Sequence, residues 1–272
     1  MKGILALTVA LGLPGYAKAQ IASPNEAGVS MGHVHLNVRD VEAQKKFWTG
    51  QFAAVPLKKD VEKEGLQGVK IPGMLILFRR QAPTGASEGS MMDHFGLKVP
   101  SLAEALKRCR DAGFQVQREF KGTEGFLNAY IVGPDDVKIE LQQDTALTTP
   151  AIAYHLHFTS AVGGQIALMD WYAKTFSAVV KKRGGHDAAD LPGINLTFGT
   201  SKTPPTIPTK GRAIDHIGFE VKNLKDFCRK LEAAGVKLDI AYRKIPRAGI
   251  AVAFLTDPTG TYIELTEDLD KF

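Results

Sequence analysis

Six of the seven histidines and two glutamates fall into a doubled pattern. His33, His94 and Glu140 form one set, and His155, His216 and Glu264 form the other. The two histidines of each set are 61 residues apart, and the glutamate follows after 46 residues in the first set and 48 in the second. Two imidazoles and one carboxylate can hold a divalent ion while leaving coordination positions open. The doubled spacing predicts one metal site per set and chemistry on a small molecule. His35 and His157 stand two residues beyond the first histidine of each set, on the same face of a strand. They are candidates for general acid–base or supporting groups, or for simple polar lining, and Asn37 continues the same face.

The elements that must position these residues also repeat. Gly32 to Val38 and Tyr154 to Phe158 alternate as half-buried strands. Each precedes an amphipathic helix: Asp40 caps one carrying Val41, Phe47, Trp48 and Phe52, and the other carries Leu168, Trp171, Tyr172 and Phe176. These aromatic residues are expected to pack the outer face of a sheet. Asp93-His94-Phe95-Gly96 and Asp215-His216-Ile217-Gly218 open two further strands, followed by helices that stop at Gly113 and Gly235. Tight turns at Gly133-Pro134-Asp135 and Asp257-Pro258-Thr259-Gly260 lead into the glutamate strands. The chain therefore reads as an internal duplication, with modules at 30–143 and 152–267 and a linker from Asp144 to Pro150. Ala82 to Ser90 and Ser201 to Lys210 join the halves of each module and are expected to be exposed or lid-like.

Residues 1–19 are set apart from this pattern. A positive start at Lys2, an apolar run from Gly3 to Leu13 and Ala17-Lys18-Ala19 predict a cleaved signal peptide and a secreted or periplasmic protein. The apolar run is too short to span a bilayer. The net charge of +5 falls to +3 once Lys2 and Lys18 are removed, with no dense basic run. Nucleic-acid and membrane partners are therefore not expected. Cys109 and Cys228 each lie in a helix-like stretch and are expected to be free, buried thiols.

His33-x-His-Leu-x-Val-x-Asp40 with Phe47-Trp48, Asp93-His94, Asp215-His216-Ile-Gly-Phe and Asp257-Pro-x-Gly260 leading to Glu264 resemble the vicinal oxygen chelate superfamily. That group includes glyoxalases, ring-cleaving dioxygenases, epimerases and fosfomycin- and bleomycin-resistance proteins. The resemblance implies an α+β fold of two modules. Each is a pair of βαβββ motifs forming a cup-shaped mixed sheet, with helices on the outer face and a metal in the cup. It also implies that His33, His94 and Glu140 serve one module and His155, His216 and Glu264 the other.

Glyoxalases of this group add a fourth protein ligand, and Ile76 and Leu196 align with its position. Neither side chain can bind metal, so an open three-ligand site and dioxygenase-like chemistry take first place. The expected ion is Fe(II) or Mn(II), with Zn(II), Ni(II) or Co(II) possible. Tyr130 matches a tyrosine of the ring-cleaving enzymes, while Phe254 holds that position in the second module. Ile76, Phe78, Leu196 and Phe198, with Asn37 and Phe254, are expected to line the substrate pocket. The alternatives are a glyoxalase-like lyase, isomerase or epimerase, and a non-catalytic small-molecule-binding protein. The chain is expected to act as a monomer or homodimer.

Overall fold

The computed structural model describes residues 21–57 and 66–272, so the predicted signal peptide lies outside the described residues. Four βαβββ units follow one another. The first holds β1 (Val29–Val38), α1 (Val41–Phe52), β2 (Val55–Pro56), β3 (Gln67–Ile71) and β4 (Met74–Arg80). The second holds β5 (His94–Val99), α2 (Leu102–Asp111), β6 (Gln115–Lys121), β7 (Leu127–Gly133) and β8 (Val137–Gln143). The third holds β9 (Ile152–Ala161), α3 (Gly164–Phe176), β10 (Val179–Arg183), β11 (His186–Leu191) and β12 (Ile194–Ser201). The fourth holds β13 (Ile214–Val221), α4 (Leu224–Ala233), β14 (Ile240–Ile245), β15 (Ile250–Thr256) and β16 (Tyr262–Glu267).

Local chemistry sets the helix ends as expected. The Asp40 carboxylate accepts hydrogen bonds from the backbone N–H groups of Glu42 and Ala43, which satisfies two otherwise unpaired donors of the first turn. Phe47 and Trp48 are fully buried beneath the sheet, each stabilising the fold by about 1.5–3 kcal/mol. The Trp48 indole N–H donates to Gln44 at 3.0 Å, so its one polar atom is paired. Tyr172 on α3 is buried too, and its hydroxyl donates to Asp257 at 2.9 Å. Asp257 in turn accepts from the backbone of Thr259, Gly260 and Thr261, fixing the turn that leads into β16. Cys109 and Cys228 are free and buried. No helix among the described residues is long and apolar enough to cross a membrane.

The sixteen strands form two mixed eight-stranded sheets, each made from two βαβββ units. Contiguity in sequence would pair the first unit with the second. Instead the order β14-β15-β16-β13-β1-β4-β3-β2 joins the first unit to the fourth, and β10-β11-β12-β9-β5-β8-β7-β6 joins the second to the third. The joints are antiparallel: β1 lies along β13, with His35 opposite His216, and β9 lies along β5, with His157 opposite His94. The two connecting segments, expected to be lid-like, clasp each other. Ser90 bridges to Ile207, Thr84 N–H donates to Gly211, and the Arg212 guanidinium donates to the carbonyls of Ala86 and Glu88. Several backbone groups of the first segment thus find partners in or just beyond the second.

Candidate metal centres

The joints decide which ligands meet. His33 Nε2 and His216 Nε2 each lie 3.0 Å from Glu264 Oε2, and His35 belongs to the same cluster. In the other sheet His94 Nε2 is 3.0 Å and His155 Nε2 3.5 Å from Glu140 Oε2. The expected sets are thereby corrected: His33 stands with His216 and Glu264, and His155 with His94 and Glu140. Each cup draws one histidine from one half of the chain and a histidine and glutamate from the other.

A glycine makes each joint possible. His33 pairs with Gly218 and His155 with Gly96 across the antiparallel strands, and each imidazole lies over its glycine. A Cβ at Gly218 would stand 1.9 Å from His33 Cε1, and one at Gly96 would stand 2.3 Å from His155 Cε1. Only a residue without a side chain lets the facing ring lean inward to the glutamate.

The donor chemistry fits a divalent ion. Ligands bound at about 2.0–2.2 Å stand about 3 Å from one another, which is the spacing found here, and within each cluster the ligand atoms lie no more than 4.8 Å apart. Asp93 and Asp215 complete the arrangement, holding the Nδ1 atoms of His94 and His216 at 2.6 Å. A carboxylate on the outer ring nitrogen fixes the tautomer and aims Nε2 at the metal. Burial lowers the basicity of both imidazoles, but the aspartate beside each and the glutamate hydrogen bond outweigh it and hold both at about 9. Burial raises the carboxyls of Glu140 and Glu264, yet the surrounding histidines pull both well below the usual carboxylate range.

The two cups differ in their walls. Residues in register on neighbouring strands share a face. His33 and His35 stand beside Leu75 and Leu77, and His155 and His157 beside Asn195 and Thr197. Ile76, Phe78, Leu196 and Phe198 are thus corrected from pocket to core: they align with Val34, Leu36, Leu156 and Phe158 and pack under the helices. The positions beside the triads hold Leu75, Leu77, Asn195 and Thr197, so neither cup offers a carboxylate or imidazole there. Asn37 is corrected as well. It is fully buried and donates to the Arg212 carbonyl and to Asp215 Oδ2, bracing the residue that orients His216.

The first cup is closed by apolar groups. Leu75 and Leu77 pack with Leu269, Leu66 and Phe272, and Phe254 with Val252 and Phe272, so the C-terminal turn covers this face. Phe254 stands 5.5 Å from the His216 ring, in register with Glu264.

The second cup opens into a cavity of ≈ 230 Å³ lined by Tyr130, Asn128, Tyr154, His157, Arg183 and Thr197, among others. Tyr130 aligns with Glu140 and lies 5.1 Å from the His94 ring. Burial, then the carboxylates of Glu140 and Asp93, raises its phenol, so it remains a donor. His157 stacks on His94 at 4.6 Å, and burial lowers its imidazole to about 4 despite Asp93 nearby. At neutral pH it is an uncharged proton acceptor. His35 sits 4.5 Å from the His216 ring, and burial pushes it well below its ordinary value. Sequence reasoning quoted Asp93 and Asp215 in its motifs without giving them a role, and missed Arg183 and His186, the last of which stands outside the histidine pattern yet lines this cavity.

The pattern of the glyoxalase/bleomycin resistance protein/dioxygenase superfamily matches residues 30–141 and 155–265. The chain belongs to that superfamily. Superfamily structures with the same fold include glyoxalase I from Zea mays, at 17% identity over 89% of this chain and 94% of that one, with a TM-score of 0.67. A proposed dioxygenase from Bacillus subtilis is 14% identical over 92% of this chain and 86% of that one, with a TM-score of 0.65. Among curated proteins, none matches this chain in sequence. Membership fits the two clusters of metal-ligand type and leaves the reaction open between oxygenation and lyase or isomerase chemistry.

Proposed function

We propose that this is an exported, divalent-metal-dependent enzyme whose working centre is the cup of His94, Glu140 and His155. Its substrate is a small molecule presenting two vicinal oxygens, and dioxygenase-like chemistry is the first choice, with Fe(II) or Mn(II). The observation that carries this reading is a three-ligand cluster opening directly onto a cavity, with Asn195 and Thr197 rather than a fourth acidic ligand beside it. A bound ion would supply Lewis acidity and open positions for substrate oxygens. The residues of the chain do the rest. Asp93 holds the His94 ring, His157 is placed to accept a proton from a substrate hydroxyl, and Tyr130 offers an O–H to a developing oxyanion. Export rests on residues 1–19, and Met1 through Ala19 would be removed from the mature chain.

Anaerobic loading with Fe(II), followed by oxygen-uptake assays on catechols and hydroquinones, tests the reading. Oxygen consumption that disappears in His94→Ala and persists in His216→Ala is expected. No consumption with any diphenol counts against oxygen chemistry.

A second reading is favoured by His157, which is neutral, buried and beside the cluster. Proton transfer in a lyase, isomerase or epimerase would use the same residues. Turnover without oxygen in the Zn(II) or Ni(II) protein would select it.

A further inference from the structure

The two cups are built alike but lined with opposite chemistry, and the lining of the second points to its ligand. Arg183, at the end of β10, lines the cavity. Its Nη2 donates to both oxygens of Asp190 at 2.9 Å, so the guanidinium is held in place. Its Nη1 is buried without a hydrogen-bond partner among the described residues. A buried, unpaired donor on a guanidinium costs free energy unless something accepts from it. Asp190 also pairs with Lys181, so its carboxylate is shared between two cations.

The lysine and carboxylates facing the cavity are Lys121, Glu124 and Glu140, with the three histidines His155, His157 and His186 beside them. Glu124 accepts from the Tyr154 hydroxyl at 2.7 Å, and Glu140 belongs to the metal cluster. Lys98 covers the Tyr154 ring at 4.9 Å, where the first cup has Glu220 in the same strand position. Ionisable, amide and phenol groups therefore line the second cup, where leucines stand beside the first.

Resting on the proposed chelation by the His94–Glu140–His155 centre, we propose that its substrate carries a carboxylate besides its two vicinal oxygens, and that the Arg183 guanidinium binds it. Arg183 acts here as a specificity-determining residue.

The test uses the Mn(II)-loaded full chain without oxygen, titrated calorimetrically with catechol, 3,4-dihydroxybenzoate and 2,3-dihydroxybenzoate. At least one of the two acids is expected to bind about ten- to a hundredfold tighter than catechol, the range for a charged hydrogen bond. Arg183→Gln should remove that difference and Arg183→Lys should keep part of it, with melting temperature and metal content confirming that both variants fold. Equal binding of catechol and both acids, or a difference that survives in Arg183→Gln, overturns the carboxylate site alone. Binding of none of the three overturns the chelation reading, and the carboxylate site with it.

Discussion

Placing a methyl group at Gly218 is a direct way to probe how the first cup is assembled. The new Cβ would stand 1.9 Å from His33 Cε1, 2.1 Å from Nδ1 and 2.5 Å from Nε2. Carbon atoms in contact need about 3.5 Å, so the ring must retreat by roughly 1.5 Å. Metal–ligand distances tolerate only about 0.2 Å. His33 is thus expected to leave the site, at a folding cost of about 1–3 kcal/mol for overpacking. Loss of a direct ligand should exceed the roughly 10–100-fold that follows from disturbing a ligand's support. Elemental analysis of dialysed protein should then fall from two ions per chain to one. Gly96→Ala should act likewise on His155, whereas Gly50→Ala, with nothing within 4 Å, should keep both ions. Adding His33→Ala to Gly218→Ala should remove nothing more, and adding His94→Ala should remove the remaining ion. A Gly218→Ala protein that retains two ions at unaltered affinity refutes the close approach of His33 to Glu264.

Pairwise replacement separates the two possible groupings: His33→Ala with His216→Ala should leave one ion, and His33→Ala with His94→Ala should leave none, by the same elemental analysis. Asp93→Asn and Asp215→Asn, which weaken the hold on His94 Nδ1 and His216 Nδ1, should each cost about 10–100-fold in metal affinity at one site, read by chelator competition. Because His94 and His216 are held at about 9 without metal, both are imidazolium at pH 7. Ion binding there should release about one proton per site, and affinity should climb between pH 6.5 and 9, as calorimetry in buffers of different ionisation enthalpy would show. Burial pushes Glu220 up to about 7 against its hydrogen bonds from Thr266 and Leu269. The native state therefore holds this proton more tightly than the unfolded chain, a stabilisation present below about pH 4.5 and lost as pH rises through 7. Glu220→Gln should raise stability at pH 8 by about 1–3 kcal/mol and leave it nearly unchanged at pH 4.5, measured by thermal melts.

Much of the fold was legible because the repeats mark it. The strand alternation around His33 and His155, the Asp40 cap and the turns before Glu140 and Glu264 each carry a local physical signal. The grouping of ligands was not legible, for a simple reason. Equivalent ligands repeat at intervals of 122, 122 and 124 residues (155 − 33, 216 − 94 and 264 − 140) whichever way His33 and His155 are assigned, and the choice is made by strand pairs such as His35 with His216, far apart in sequence. The facing of β4 was hidden as well. Met74-Leu75-Ile76-Leu77-Phe78 is apolar at every position and buried throughout, so alternation cannot tell the cup side from the helix side. The role of Asp215 was missed because neighbours on a regular strand point to opposite faces. The β13 register skips it, with His35 opposite His216 and Leu36 opposite Ile214, and that irregularity turns its carboxylate toward the adjacent ring. The β9 register skips Tyr154 in the same way, placing that side chain at the cavity.

Since each cup takes ligands from both halves, a fragment ending within Asp144–Pro150 would carry three of the six ligand residues and no whole site. The chain is in effect a covalently joined pair of half-molecules that have traded strands, and bound metal reports whether the trade has taken place. The linker contributes no ligand. It only keeps the halves at high local concentration, so two separately made halves should recover metal binding when mixed and neither should show it alone.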